Sequence, residues 1–154
     1  MRGLIIGKFY PPHRGHEYLI RFACERVDEL HVMVFYRADE TIDGHLRAAW
    51  LRELFPQVVV HAQFAEHRDP HNPCDEAGWH AWIAEIRSVC AEKFDFVFSS
   101  ETYGEELARR LNAEHVMVDR QRVVVPISGT RVRENPRACF EFLSAPVRAY
   151  YASL

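Results

Sequence analysis

Cysteine is sparse and never paired in this chain. Cys24, Cys74, Cys90 and Cys139 form no C-x-x-C couple, so they offer neither a zinc knuckle nor a dithiol redox centre and read as separate reduced thiols. Long apolar runs are missing as well. Leu4-Ile5-Ile6 gives way to Gly7-Lys8 too soon for the core of a signal peptide, and nothing later approaches membrane-spanning length, so the expected location is the cytoplasm, away from any membrane. Positive charge is not in excess: 19 Lys and Arg stand against 22 Asp and Glu, a net charge of −3. That balance lacks the broad field of a non-specific nucleic-acid binder, and no nucleic-acid partner is expected. Two nucleotide signatures are also absent, G-x-G-x-x-G and G-x-x-x-x-G-K-[ST], which removes support for a dehydrogenase or a P-loop kinase.

What is present is a well-supplied core. Hydrophobic residues make up 48% of the 154, with ten Phe, six Tyr and three Trp, enough for one folded domain over residues 1–154 and too little chain for a second. The short run Leu4 to Ile6 ends at Gly7, a proline-containing turn follows, and an amphipathic stretch begins near Gly15. Continuous apolar runs then alternate with helical patterns: strands over 29–36, 58–60, 94–98 and 115–118, with helices over 45–55, 76–93 and 104–111 between them. Strands apolar on both faces and separated by helices predict an α/β fold, doubly wound around a mainly parallel five-stranded sheet. The stretch from Ala65 to Gly78, with Pro70 and Pro73, reads as a loop. Its possible metal ligands between Glu66 and Asp75 lack any zinc spacing, so no metal-binding residue is expected.

Ligands of such sheets bind beyond the carboxyl ends of the strands, which directs attention to the loop Gly7-Lys8-Phe9-Tyr10-Pro11-Pro12-His13-Arg14-Gly15-His16. His13 and His16 fall where the first helix begins, so both imidazoles can face an anion together with the helix N-terminal amides, and Gly7 and Gly15 allow close approach. A histidine pair at this spacing is by itself equally compatible with two surface residues. A second cradle, Ile127-Ser128-Gly129-Thr130-Arg131-Val132-Arg133, adds an N-capping Ser128, two hydroxyls and a guanidinium near the other end of the chain, and the two together point to a phosphate site.

His-x-Gly-His after the first strand, joined to Ile-Ser-Gly-Thr-x-x-Arg, resembles the HxGH nucleotidyltransferase superfamily. With Gly7-Lys8-Phe9-Tyr10-Pro11, Val27-Asp28-Glu29-Leu30, Gly78-Trp79-x-x-Trp82 and Arg133-Glu134-Asn135-Pro136, the likeness extends over essentially the whole chain to the nicotinamide-nucleotide adenylyltransferase domain of NadR proteins. The kinase and helix-turn-helix domains of those proteins find no room in this length.

The resemblance implies an enzyme that joins nicotinamide mononucleotide (NMN) to ATP, giving NAD and pyrophosphate, with Mg²⁺ carried on the ATP phosphates. It implies that His13 and His16 donate to the triphosphate and that Lys8 and Arg133 neutralise charge as pyrophosphate departs. Ser128 and Thr130 would hold the β- and γ-phosphates, with Gly7, Phe9, Gly15 and Gly129 completing the ATP site. Trp79 or Trp82 would stack on the nicotinamide, with core packing as the alternative for each, and Arg47 would lie near the NMN phosphate or be a solvated helix charge. Ser99, Ser100 and Glu101 follow the fourth strand at the ligand-facing edge. Transfer to nicotinate mononucleotide or phosphopantetheine, a cytidylyl donor, a non-catalytic NAD or ATP sensor, and a homo-oligomeric assembly all remain open on the sequence alone.

Overall fold

Leu4, Ile5 and Ile6 are all buried, and their alternation puts Leu4 and Ile6 into one hydrophobic layer and Ile5 into another, so the first strand must lie between two layers of helices. The computed structural model, which describes residues 1–65 and 75–154, shows that strand at the centre of the fold. The order is β1 (Arg2–Gly7), α1 (Arg14–Cys24), β2 (Glu29–Tyr36), α2 (Gly44–Leu54), β3 (Val59–Phe64), α3 (Glu76–Val89), β4 (Phe96–Ser99), α4 (Tyr103–Arg110), β5 (Glu114–Met117) and α5 (Gly129–Glu134). A 3₁₀ helix (Arg137–Phe142) and α6 (Ala145–Ala152) complete the chain.

All strand pairs are parallel, in the order β3-β2-β1-β4-β5. Ile5, Val32 and Val34 pack with Leu19, Ile20 and Ala23 of α1 and Ala48 and Leu51 of α2 on one face. Leu4, Ile6, Met33 and Phe35 pack with Trp82 and Ile86 of α3 and Leu107 and Ala108 of α4 on the other. The doubly wound expectation is met. The chain runs outward from β1 through β2 to β3 and then returns to β4 on the other side of β1, so the carboxyl ends of β1 and β4 form the point where the order reverses, the usual ligand crevice of such sheets.

The largest departures from the sequence reading are three. β3 runs on to Phe64, because His61 and Gln63 sit on a half-exposed edge strand held by register with Met33 and Phe35 rather than by an apolar run. α3 stops at Val89: residues 91–93 are exposed, so nothing is buried by carrying the helix further, and the Glu92 carboxylate pairs with Arg2 instead. The segment after Pro136 is helical. Cys139, Leu143 and Val147 bury against Ile42, Trp50, Ile127 and Val132, a third small core that docks the C-terminal helices onto α2.

None of the described helices is long and apolar enough to cross a membrane. The metal expectation for 66–75 lies almost wholly outside the described residues. Among those described, no group of three or more His, Cys, Asp or Glu side chains is arranged to hold a metal ion.

Candidate active site

Helix α1 begins at the reversal point, and His13 is its N-cap, with extended backbone (φ −142°). Its Nδ1 accepts from the amides of Gly15 at 3.1 Å and His16 at 3.4 Å, while His16 Nδ1 accepts from the His13 amide at 3.2 Å. This is a capping box in which imidazoles take the places usually filled by hydroxyl and carboxylate. The two rings stack, with centroids 3.7 Å apart.

The box fixes the proton inventory. A ring nitrogen that accepts from an amide carries no hydrogen, so each neutral imidazole has its proton on Nε2. His13 is only 2% exposed, and its Nε2 is buried with no partner among the described residues. Burial, reinforced by the positive charge of Arg122, pushes this imidazole from 6.5 down to about 3. His13 therefore presents a neutral N–H donor with no acceptor among the described residues, a group that an incoming oxyanion would satisfy.

A cleft of about 270 Å³ opens in front of it, lined from the β1 loop by Gly7, Lys8, Phe9, Tyr10, His13, Gly15 and His16, and from α5 by Ser128, Gly129, Thr130 and Arg133. The two cradles that are more than a hundred residues apart in the sequence thus line one cleft. Gly129 makes this contact possible: a Cβ there would stand 2.7 Å from the Tyr10 carbonyl oxygen. Arg133 donates through Nη1 to that same carbonyl at 2.5 Å and through Nη2 to Thr130 Oγ1 at 3.3 Å, with its guanidinium 4.2 Å above the Tyr10 ring. Ser128 caps α5 by accepting from the Arg131 amide at 3.2 Å. In the β1 loop, Lys8 Nζ lies 3.7 Å from Glu40 Oε2.

The three residues of the expected NMN set do not line this cleft. Arg47 does not face the cleft. It is 0% exposed, and its guanidinium donates to the Ile42 carbonyl at 3.1 Å, the Lys8 carbonyl at 2.9 Å and Glu40 Oε1 at 2.8 Å. The segment after β2 folds back over it and makes the expected phosphate ligand a clamp between α2 and the β1 loop. Trp82 is the second: at 2% exposure it packs on Phe35 and Tyr103 in the layer behind the cleft, which is the core-packing alternative. Trp79 is half-buried, with Arg110 5.0 Å from its ring centre, and does not line the cleft either.

Ser99, Ser100 and Glu101 do line it, at the carboxyl end of β4. Ser99 Oγ sits 2.7 Å from His115 Nε2 and donates to the Glu101 carbonyl at 3.0 Å, which shapes the turn into α4. Tyr103 also borders the cleft and donates its hydroxyl to the Ile6 carbonyl at 3.0 Å. Asp119 and Arg122 border it too, and the sequence reading missed them. The available signal was positional: Asp119-Arg120-Gln121-Arg122 follows β5 at the same edge of the sheet.

No family model matches the chain. Over 170 residues it is 33% identical to the trifunctional NAD biosynthesis/regulator protein NadR of Salmonella typhimurium, an alignment that takes in 97% of this chain and 40% of that protein. The chain therefore spans about 40% of the length of the NadR proteins it matches. It is 31% identical over 141 residues to the nicotinamide-nucleotide adenylyltransferase of Pyrobaculum neutrophilum, covering 86% of this chain and 75% of that enzyme. Among solved structures, that of a NadR protein in complex with NAD and AMP-PNP shares the fold with a TM-score of 0.66 at 20% identity, over 92% of this chain and 44% of that one. A match of this identity over three quarters of a whole enzyme, on a five-stranded parallel sheet with the His-x-Gly-His and Ile-Ser-Gly-Thr segments facing one cleft, means that the chain belongs to the nicotinamide-nucleotide adenylyltransferase family.

Proposed function

We propose that this chain transfers the adenylyl group of ATP to NMN, with residues 1–154 acting as a single nucleotidyltransferase unit in the cytoplasm. A phosphate oxygen of NMN forms a bond to the α-phosphorus of ATP, the bridge to the β-phosphorus breaks, and pyrophosphate leaves with that electron pair. The observation that carries the reading is the buried Nε2 of His13, without a partner among the described residues, on a helix N-terminus that lines one cleft with Lys8, Ser128, Thr130 and Arg133. Such a reaction needs alignment and dispersal of negative charge rather than a covalent intermediate, and preorganised donors supply both.

In this reading His13 and His16 donate through Nε2 to the phosphates, and Lys8 and Arg133 balance the charge that builds on the departing pyrophosphate. Gly7, Phe9, Gly15 and Gly129 let the nucleotide approach the backbone. Mg²⁺ enters as the MgATP substrate, with its ligands drawn mainly from phosphate and water. Of the two tryptophans, Trp79 retains accessible surface, so the stacking role for nicotinamide is assigned to it.

The experiment is an acceptor panel. Pyrophosphate release is followed with ATP or CTP against NMN, nicotinate mononucleotide and phosphopantetheine, and the expected active pair is ATP with NMN. Turnover with another pair while NMN stays inert overturns the assignment, as does tight NAD binding by calorimetry with no turnover in the presence of MgATP and NMN.

A further inference from the structure

The loop between β5 and α5 carries a cation that neither cradle accounts for. Asp119 opens the loop in the left-handed region (φ 46°), and its carboxylate accepts from the amides of Val123, Val124 and Val125 at 2.8, 3.0 and 3.0 Å. Burial works against the charge on that carboxylate, but the three amides hold it below its ordinary range. The Arg122 amide closes the turn by donating to the Asp119 carbonyl at 2.9 Å. Arg122 itself has φ 54°, a conformation that crowds any residue with a Cβ and persists only where its surroundings impose it.

This rigid turn delivers the Arg122 side chain to the cleft. Nη1 donates to the Ile127 carbonyl at 2.5 Å and Nη2 to Glu101 Oε1 at 3.3 Å. The latter pair bridges the two loops at the carboxyl edge of the sheet, and its side chains are 41% and 46% exposed, so it is weakly held in water and open to exchange. A guanidinium fork matches a phosphate as well as a carboxylate, and the same cleft is lined by His13, whose Nε2 has no partner among the described residues.

We propose that Arg122 is a further nucleotide-binding residue, whose guanidinium leaves Glu101 to donate to a phosphate oxygen of ATP. The influence of its charge on His13 agrees with this placement. The inference rests on the adenylyltransfer reading and adds a cation to the ATP side of the site alone.

The test compares wild type with Arg122→Asn, which removes the charge yet tolerates a left-handed backbone, and Arg122→Lys, which keeps the charge without the fork. Calorimetry with MgATP and with NMN is read beside steady-state kinetics and a thermal melt. Arg122→Asn is expected to weaken the Kd for MgATP about 10- to 100-fold, the range for losing a charge-assisted hydrogen bond, with Kd for NMN unmoved and Tm within a few degrees. Arg122→Lys is expected to recover part of the loss. An unchanged Kd for MgATP in Arg122→Asn overturns the proposal alone, and so does equal weakening of both ligands with a lowered Tm, which marks a structural role. A wild type that does not bind MgATP at all sinks the adenylyltransfer reading itself.

Discussion

His13 links the site to stability in a way that can be worked out from its burial. The folded imidazole is pushed from 6.5 to about 3, so the unfolded chain binds the proton more readily than the native one. Stability from this group is therefore fully present above pH 6.5 and is lost as the pH falls from there toward 3. Between pH 7 and pH 5 the unfolded imidazole goes from mostly neutral to almost wholly charged while the folded one stays neutral, which corresponds to about 2 kcal/mol of lost stability. His13→Asn separates this effect from every other titration: Asn is a favoured N-cap and can accept the Gly15 and His16 amides, but it does not ionise. Denaturant unfolding of both proteins at pH 7 and pH 5 should show the wild type losing about 2 kcal/mol more than the variant over that interval. Parallel losses would refute the argument, because they would mean that His13 is solvated and free to protonate in the folded state.

Three further outcomes follow from the geometry. His16→Ala removes one Nε2 donor and half of the capping box, so kcat should fall on the order of 10²-fold while the melt drops only a few degrees, and near-normal turnover in steady-state assays would remove His16 from the site. Gly129→Ala places a Cβ against the Tyr10 carbonyl oxygen and must move α5 away from the β1 loop; kcat/KM for ATP should fall at least about tenfold, roughly the worth of one displaced hydrogen bond to a charged group, and an unaffected value would show that the cradles need not touch. Trp82→Ala should cost about 3–5 kcal/mol in denaturant unfolding as a core deletion, whereas Trp79→Ala should cost much less stability and raise KM for NMN; the reverse pattern would exchange their roles.

Much of the fold is legible in local chemistry. Apolar runs flanked by helical periodicity require strands covered on both faces, and a parallel sheet follows because only crossover helices can provide that cover. His13, Gly15 and His16 are neighbours in the chain, so their meeting at the start of α1 needs only the first turn of a helix. The segments that escaped, β3 beyond Val60 and the helices after Pro136, owe their form to partners distant in sequence: the register with β2, and the small core around Ile42 and Trp50.

Periodicity, capping and turn chemistry act within a few residues, and for that reason the parallel α/β fold and the two segments that line the cleft could be read from the chain alone. Which cations reach the cleft was settled by tertiary packing. Arg47 and Arg122 are alike as residues in the chain, yet the loop after β2 encloses one with a carboxylate and two carbonyls while the Asp119 turn delivers the other to the site. The difference lies in burial and in backbone carbonyls contributed by remote segments, and whether a guanidinium is spent inside the fold or left for a ligand depends on those non-local neighbours.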